Sequence, residues 1–256
     1  MILTIDIGNS NIALGGVQEN DIVFRAKIRT EASKTSDEYC VDLKILLDVN
    51  EISTKDIEGS IICSVVPQVL NSFQTAICKL LGRKSLVVGP GLKTGLNSLL
   101  ENPGQTGADI VAADVGALRE FRPPLVVVDM GTATTLAVVD QNGAHIGGCI
   151  CPGVKISMDA LTERAALLPG LQLDQPQKTI GRNTIDAMRS GIMMGSACML
   201  DGMIERIEQE LGSKTTVVAT GGIAKFIVPL CKRKIIYDKD LIMKGLASLY
   251  RENRRD

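Results

Sequence analysis

A chain of 256 residues can form one large or two modest domains with well-buried cores. A net charge of −1 supplies no basic field for nucleic acid, and 3% aromatics with no Trp leave few platforms for stacking bases. Seven Cys without a C-x-x-C spacing predict reduced thiols and a cytoplasmic location.

In chain order, three strands are predicted over 2–7, 12–18 and 21–29, the last two joined by a hairpin around Glu19-Asn20-Asp21. Ser36 fits an N-cap for a helix to about Val49, with Tyr39, Leu43, Leu46 and Leu47 at helical spacing. A buried strand over 61–66 leads to Pro67, which suits the first turn of a helix reaching Leu81. A short strand over 85–88 ends at Gly89-Pro90-Gly91, and an irregular Gly/Asn/Pro-rich loop follows through Gly104. A helix over 108–120 ends before Arg122-Pro123-Pro124. The pattern then restarts with strands over 125–129, 134–139 and 144–151 and a helix after Pro152-Gly153. Asn183, with Asp186 three residues on, predicts a capped start for the longest helix, 184–211. A strand over 216–219 ends in Thr220-Gly221-Gly222, and helices near 222–230 and 240–251 flank a strand over 234–238. Two matching runs of alternating strands and helices imply a two-domain α/β protein with a duplicated core.

The duplication extends to the chemistry. Asp6-Ile7-Gly8-Asn9-Ser10-Asn11 and Asp129-Met130-Gly131-Thr132-Ala133-Thr134 each follow a short apolar strand. Glycine after the acidic residue permits φ > 0 and close approach of a ligand, and the successive N–H groups of such a bend can cradle an anion. Two such loops facing each other would hold a polyphosphate, with a carboxylate in each half for a cation. Thr220-Gly221-Gly222 adds a late glycine pair on which a base or ribose could lie.

Other chemistries are disfavoured. His145 is the single histidine and lies in a predicted strand, which removes a His-based triad or His-rich metal site and leaves a carboxylate as the general base. Gly89-Pro90-Gly91-Leu92-Lys93-Thr94 has neither the P-loop nor the G-x-G-x-x-G spacing. The chain enters its first strand without a basic n-region, so secretion is not expected, and the apolar stretch near Ile192 to Leu200 is too short for a bilayer. Lys232-Arg233-Lys234 and the tail Arg251 to Arg255 read as solvated faces, and Met193, Met194, Met199 and Met203 as core.

Paired Asp-x-Gly loops with a late glycine pair resemble the actin, heat-shock chaperone and sugar kinase superfamily. Gly107-Ala108-Asp109, Asp129 to Thr135, Gly148 to Gly153 and Gly181-Arg182-Asn183-Thr184 ahead of Ala187 to Gly191 narrow the resemblance to the type III pantothenate kinases, over nearly the whole chain. That resemblance implies an α/β, duplicated ribonuclease H-like (actin-like ATPase) two-domain fold with mixed sheets, its halves at 1–121 and 122–256. It implies ATP-dependent phosphorylation of pantothenate to 4'-phosphopantothenate, the first step of coenzyme A biosynthesis. Asp6, Ile7, Gly8, Asn9, Ser10, Asn11, Ile12 and Ala13 would line the phosphate and Mg2+ side of ATP, with Asp6 serving the Mg2+, and Thr132 would touch ATP from the other half. Asp129 would hold a monovalent cation, K+ or NH4+. Gly107, Ala108, Asp109, Ile110 and Thr184 would contact pantothenate, with Asp109 accepting the proton.

By the same resemblance the protein is a homodimer, without nucleic-acid or membrane partners. Gly191 and Gly195, four apart on the long helix, suit close packing at such an interface and equally suit a core. The chain departs from the family pattern at Ile110, where Arg is usual, and at Leu100, where Tyr is usual. Loss of one charged hydrogen bond to a substrate costs about 1.5–3 kcal/mol. Two alternatives therefore stand beside pantothenate: a paralogue acting on another small hydroxylated acceptor, and a non-catalytic nucleotide-binding regulator.

The mechanism implied is alignment and charge neutralisation around a loose transition state. Asp109, at a helix start, is expected to be a comfortable anion that orients the acceptor more than it pulls its proton.

Overall fold

The computed structural model describes residues 1–165 and 168–254. Arg255 of the basic tail, and Ala166, Leu167 and Asp256 of the expected second half, lie outside the described residues. The chain runs β1 (Ile2–Ile7), β2 (Asn11–Gln18), β3 (Asp21–Arg29), α1 (Ser36–Val49), β4 (Gly59–Ser64), α2 (Pro67–Leu81), β5 (Leu86–Val87), β6 (Asn97–Ser98) and α3 (Ala108–Glu120). It continues through β7 (Leu125–Met130), β8 (Ala133–Val139), β9 (Ala144–Pro152), α4 (Val154–Arg164), α5 (Thr184–Leu211), β10 (Thr216–Thr220), α6 (Ala224–Ile227), β11 (Ile236–Tyr237) and α7 (Leu241–Asn253).

Several boundaries differ from expectation for local reasons. The cap of α1 is Thr35, not Ser36: its hydroxyl accepts from Glu38 N at 3.3 Å while the Glu38 carboxylate accepts from Thr35 N at 2.8 Å. β4 ends two residues early because Val66 N turns back to the Ser64 hydroxyl at 3.1 Å, setting up the entry to Pro67. The helix expected over 222–230 is split into α6 and a 3₁₀ turn, Val228–Leu230, around Pro229, which has no N–H to continue an α-helix. The irregular loop before α3 contains β6, too short for its alternation to be read.

The chain divides into two compact units, Met1–Leu96 with Glu101–Glu120 and Asp240–Asp256, and Asn97–Leu100 with Phe121–Lys239. In the first, the sheet order is β3-β2-β1-β4-β5, mixed because β1 is antiparallel to β2 and parallel to β4. Period-two alternation sorts its faces. Leu3, Ile5 and Ile7 pack with Tyr39 and Leu43 of α1 and Val69 and Phe73 of α2. Ile2, Ile61 and Cys63 belong to a cluster with Ala112 and Val115 of α3 and Leu246, Leu249 and Tyr250 of α7. Asp6, in phase with Ile2 and Thr4, is therefore on the α3/α7 side.

In the second unit the order is β11-β10-β7-β8-β9-β6. Val126, Val128 and Met130 pack with Ile192, Met193, Leu200 and Ile204 of α5, which puts Asp129 on the opposite face with Leu125 and Val127. Met193 is buried, Met199 and Met203 pack against this cluster, and Met194 is half-buried. Gly191 and Gly195 are not core residues: both are exposed, and a Cβ on either would meet nothing within 4 Å. No helix among the described residues is long and apolar enough to cross a membrane.

Candidate active site

The same turn is built once in each unit, with a one-residue difference. β1 and β2 pair through Asp6↔Ala13 and Ile7↔Ile12, leaving a bend from Gly8 to Asn11. β7 and β8 pair through Asp129↔Thr135 and Met130↔Thr134, leaving the shorter bend Gly131 to Ala133. Each bend is closed by the glycine amide, Gly8 N to Asn11 O and Gly131 N to Ala133 O, both at 3.0 Å. That is a correction: these two N–H groups turn inward, and neither glycine has φ in the left-handed region that the sequence suggested. The first bend is tied from outside by Thr30, whose hydroxyl donates to Gly8 O at 2.6 Å and whose amide donates to Ser10 O at 3.2 Å.

Asn9, Ser10 and Asn11 are exposed, whereas Ile7 and Ile12 are fully buried in the core and offer only backbone to a ligand. Ala13 is half-buried between Asp6 and Lys27 in the ladder of β1, β2 and β3.

Asp6, the last residue but one of β1, lies beside Cys63 of β4, whose thiol donates to Asp6 Oδ1 at 3.3 Å. Burial pushes the Asp6 carboxyl up to about 6. The negative charge of Asp109 adds to the rise, while the Cys63 thiol and Lys27 pull against it. The structure thus brings together Asp6 and Asp109, which the sequence singled out, with Cys63 and Lys27, which it did not. No sequence signal marked those two: one reads as an apolar strand residue and the other as an exposed strand lysine.

Asp109 stands in the first turn of α3. Its Oδ1 accepts from Ile110 N at 2.8 Å, and it takes the place that a Cβ on Gly107 would need. Its charge is not set as expected. Burial raises the carboxyl above the usual aspartate range and outweighs the backbone N–H groups of Ile110 and of Asp109 itself, which pull it down. The helix start orients the group, and desolvation makes it a better proton acceptor than a surface aspartate. Gly107, Ala108 and Ile110 surround it, each half-buried.

In the second unit, Asp129 lies between Thr135 of β8 and Thr220 of β10. Gly221 has φ +94°, and a Cβ there would stand 2.8 Å from Asp129 Oδ1 and 2.6 Å from Met130 O. Glycine is required at this position both by conformation and by space. Gly153 has no room for a side chain either, because Thr132 O occupies it. Thr132 is exposed, and Thr184, also exposed, opens α5 behind its Asn183 cap. His145 is buried in β9, consistent with a satisfied strand residue.

Among the described residues, no cluster of three or more His, Cys, Asp or Glu could hold a metal alone. Asp6 nevertheless suits a hard divalent cation shared with phosphate oxygens, since its carboxylate is a hard oxygen donor whose Oδ1 accepts only from the Cys63 thiol among the described residues. Asp129 offers carboxylate oxygen, the donor type that suits a hard cation.

Component A of (R)-2-hydroxyglutaryl-CoA dehydratase from Acidaminococcus fermentans has a similar fold, with a TM-score of 0.55 at 14% identity over 97% of this chain and 96% of that one. The fold is that of the actin-like ATPases and sugar kinases, mixed sheets in two ribonuclease H-like units. The type III pantothenate kinase sequence profile matches residues 2–206. Type III pantothenate kinases of Exiguobacterium sibiricum and Halalkalibacterium halodurans are 40% and 38% identical, each over 99% of this chain and 100% of the relative. The chain belongs to the type III pantothenate kinases.

Proposed function

We propose that the protein transfers the γ-phosphoryl group of ATP to the primary hydroxyl of pantothenate, giving ADP and 4'-phosphopantothenate, in the first step of coenzyme A biosynthesis. Family membership supports the acceptor. The observation that carries the chemistry is Asp109, a desolvated carboxylate held by the head of α3 within electrostatic reach of Asp6.

Asp109 accepts a hydrogen bond from the pantothenate hydroxyl and aims its oxygen in line with the bond to the ADP leaving group. As the new O–P bond forms and the old one breaks, the proton passes to Asp109. Burial, which raises its carboxyl, favours that transfer over one to a surface aspartate. Gly107, Ala108 and Ile110 contact the acceptor alongside it, as does Thr184. Asp6 to Ala13 carry the phosphate side of ATP, the buried pair Ile7 and Ile12 through backbone, and Thr132 contacts ATP from the second unit. Asp6 serves Mg2+, which neutralises phosphate charge when bound with ATP, and Asp129 holds K+ or NH4+.

The protein works as a cytoplasmic homodimer, with no nucleic-acid or membrane partner. Support for the dimer comes from α5, where Ala187, Gly191, Gly195 and Cys198 leave an exposed run of small residues on a 28-residue helix.

The test is ATP consumption with pantothenate and with a panel of other small alcohols and sugars, each with and without Mg2+ and with K+, NH4+ or Na+. Turnover with pantothenate alone is expected, and turnover only with another acceptor overturns the assignment. Asp109→Asn is expected to keep the fold and ATP binding and to lose about 10²–10⁴-fold in kcat, the usual worth of a general base. Near-normal turnover in that variant rejects its role.

A further inference from the structure

Asp6 is held by a neighbour that neither the sequence motifs nor the family resemblance singled out. We propose that Cys63 is a positioning residue: its thiol fixes the Asp6 carboxylate in the orientation that serves Mg2+ and the ATP phosphates. The proposal rests on the assignment of Asp6 to that role.

Three observations carry it. The parallel register of β1 and β4 sets Asp6 directly beside Cys63, with both side chains on the α3/α7 face of the sheet. Cys63 Sγ donates to Asp6 Oδ1 at 3.3 Å, the one hydrogen bond the Asp6 side chain receives among the described residues. Cys63 is also fully buried, so solvent cannot replace it as donor and packing holds its side chain in place. One carboxylate oxygen is thereby anchored while Oδ2 stays available.

A thiol suits this place because it is a weak donor. It restrains the torsion of the carboxylate without neutralising the charge that a cation needs. Cys63 does not touch the reacting atoms; it acts through Asp6.

The experiment uses the full-length chain with Asp6→Asn, Cys63→Ala, Cys63→Ser and Cys63→Val. It measures ADP affinity with Mg2+ and with EDTA by calorimetry, together with kcat and the KM for Mg2+·ATP. Cys63→Ala is expected to weaken Mg2+·ADP binding about 3- to 10-fold, the worth of one modest hydrogen bond, and to leave metal-free ADP binding unchanged. Cys63→Ser, which restores a donor, is expected to return the affinity to near that of the unmodified protein. Cys63→Val fills the thiol's space without a donor, so it repeats the test where Cys63→Ala loses stability.

Unchanged Mg2+·ADP affinity in Cys63→Ala and Cys63→Val overturns the proposal. So does equal weakening with and without metal, or a serine variant as weak as the alanine one. Asp6→Asn separates the two readings. If it leaves Mg2+·ADP affinity intact, the role of Asp6 itself falls; if it weakens binding while the Cys63 variants do not, the role of Cys63 alone falls.

Discussion

Gly116 of α3 and Gly245 of α7 touch backbone to backbone. The Gly245 amide nitrogen lies 3.2 Å from where a Cβ on Gly116 would stand, and the Gly116 nitrogen lies 3.0 Å from where a Cβ on Gly245 would stand. The same hypothetical Cβ on Gly245 would overlap Ala112 O. This crossing fixes α3, and α3 carries Asp109. In an open helix, Gly→Ala gains about 1 kcal/mol from helix propensity. Here overpacking against rigid backbone costs about 1–3 kcal/mol, so the net sign is expected to reverse. Gly245→Ala should lower the urea midpoint and reduce kcat by displacing Asp109. A variant as stable and as active as the parent would show that the helices separate freely.

Gly107 makes room for the group it precedes. A Cβ there would occupy the space of Asp109 Oδ1. No left-handed φ is involved, so the backbone itself tolerates alanine. Gly107→Ala is therefore expected to fold with the parent's thermal midpoint, to bind ATP normally and to lose at least about tenfold in kcat, about 1.4 kcal/mol of transition-state stabilisation. Unchanged kcat would mean that the carboxylate does not need its present rotamer.

Much of this was legible in the sequence, and the reasons differ by residue. Strand alternation and helical spacing gave β1 to β3, α2 and α3 nearly to the residue, because each is bounded by a strong local signal such as Pro67. Asn183 was readable as a cap because its partner, Asp186, is three residues away, with Asp186 N donating to Asn183 Oδ1 at 2.8 Å. Long-range pairing was not readable. Cys63 meets Asp6 only through strand register, 57 residues apart in the chain. The charge of Asp109 was misjudged because the helix start is local and visible, whereas the burial that dominates it comes from packing. The inward turn of the Gly8 and Gly131 amides likewise depends on a turn geometry that composition does not specify.

The small-residue run on α5 makes a prediction about assembly. Gly195 is exposed and a Cβ there would meet nothing within 4 Å among the described residues, so the fold leaves space where a larger side chain would begin. Gly195→Leu should keep or slightly raise the stability of the fold, by up to about 1 kcal/mol from helix propensity. If the proposed dimer packs two copies of this helix together, the variant should nevertheless run as a monomer in light scattering. A dimer of undiminished affinity would place the interface elsewhere.

Glu208 makes a prediction about pH. It is buried at the end of α5 and accepts from Lys214 Nζ and Thr215 N, both at 2.8 Å, and from Thr215 Oγ1 at 3.1 Å and Arg233 Nη2 at 2.5 Å. Burial pushes its carboxyl up, but these hydrogen bonds and the Arg233 charge together outweigh burial and hold it below the usual glutamate range. A carboxyl lowered on folding stabilises the folded state at any pH above its unfolded value, about 4.3, and that contribution disappears as pH falls through the lower folded value. Glu208→Gln is expected to cost about 1–3 kcal/mol near neutrality by leaving buried donors poorly matched. Thermal midpoints of the two proteins should differ most from pH 6 to 8 and converge as pH falls below the unfolded value and through the lower folded one. A difference that stays constant across that range would show that Glu208 contributes packing rather than charge.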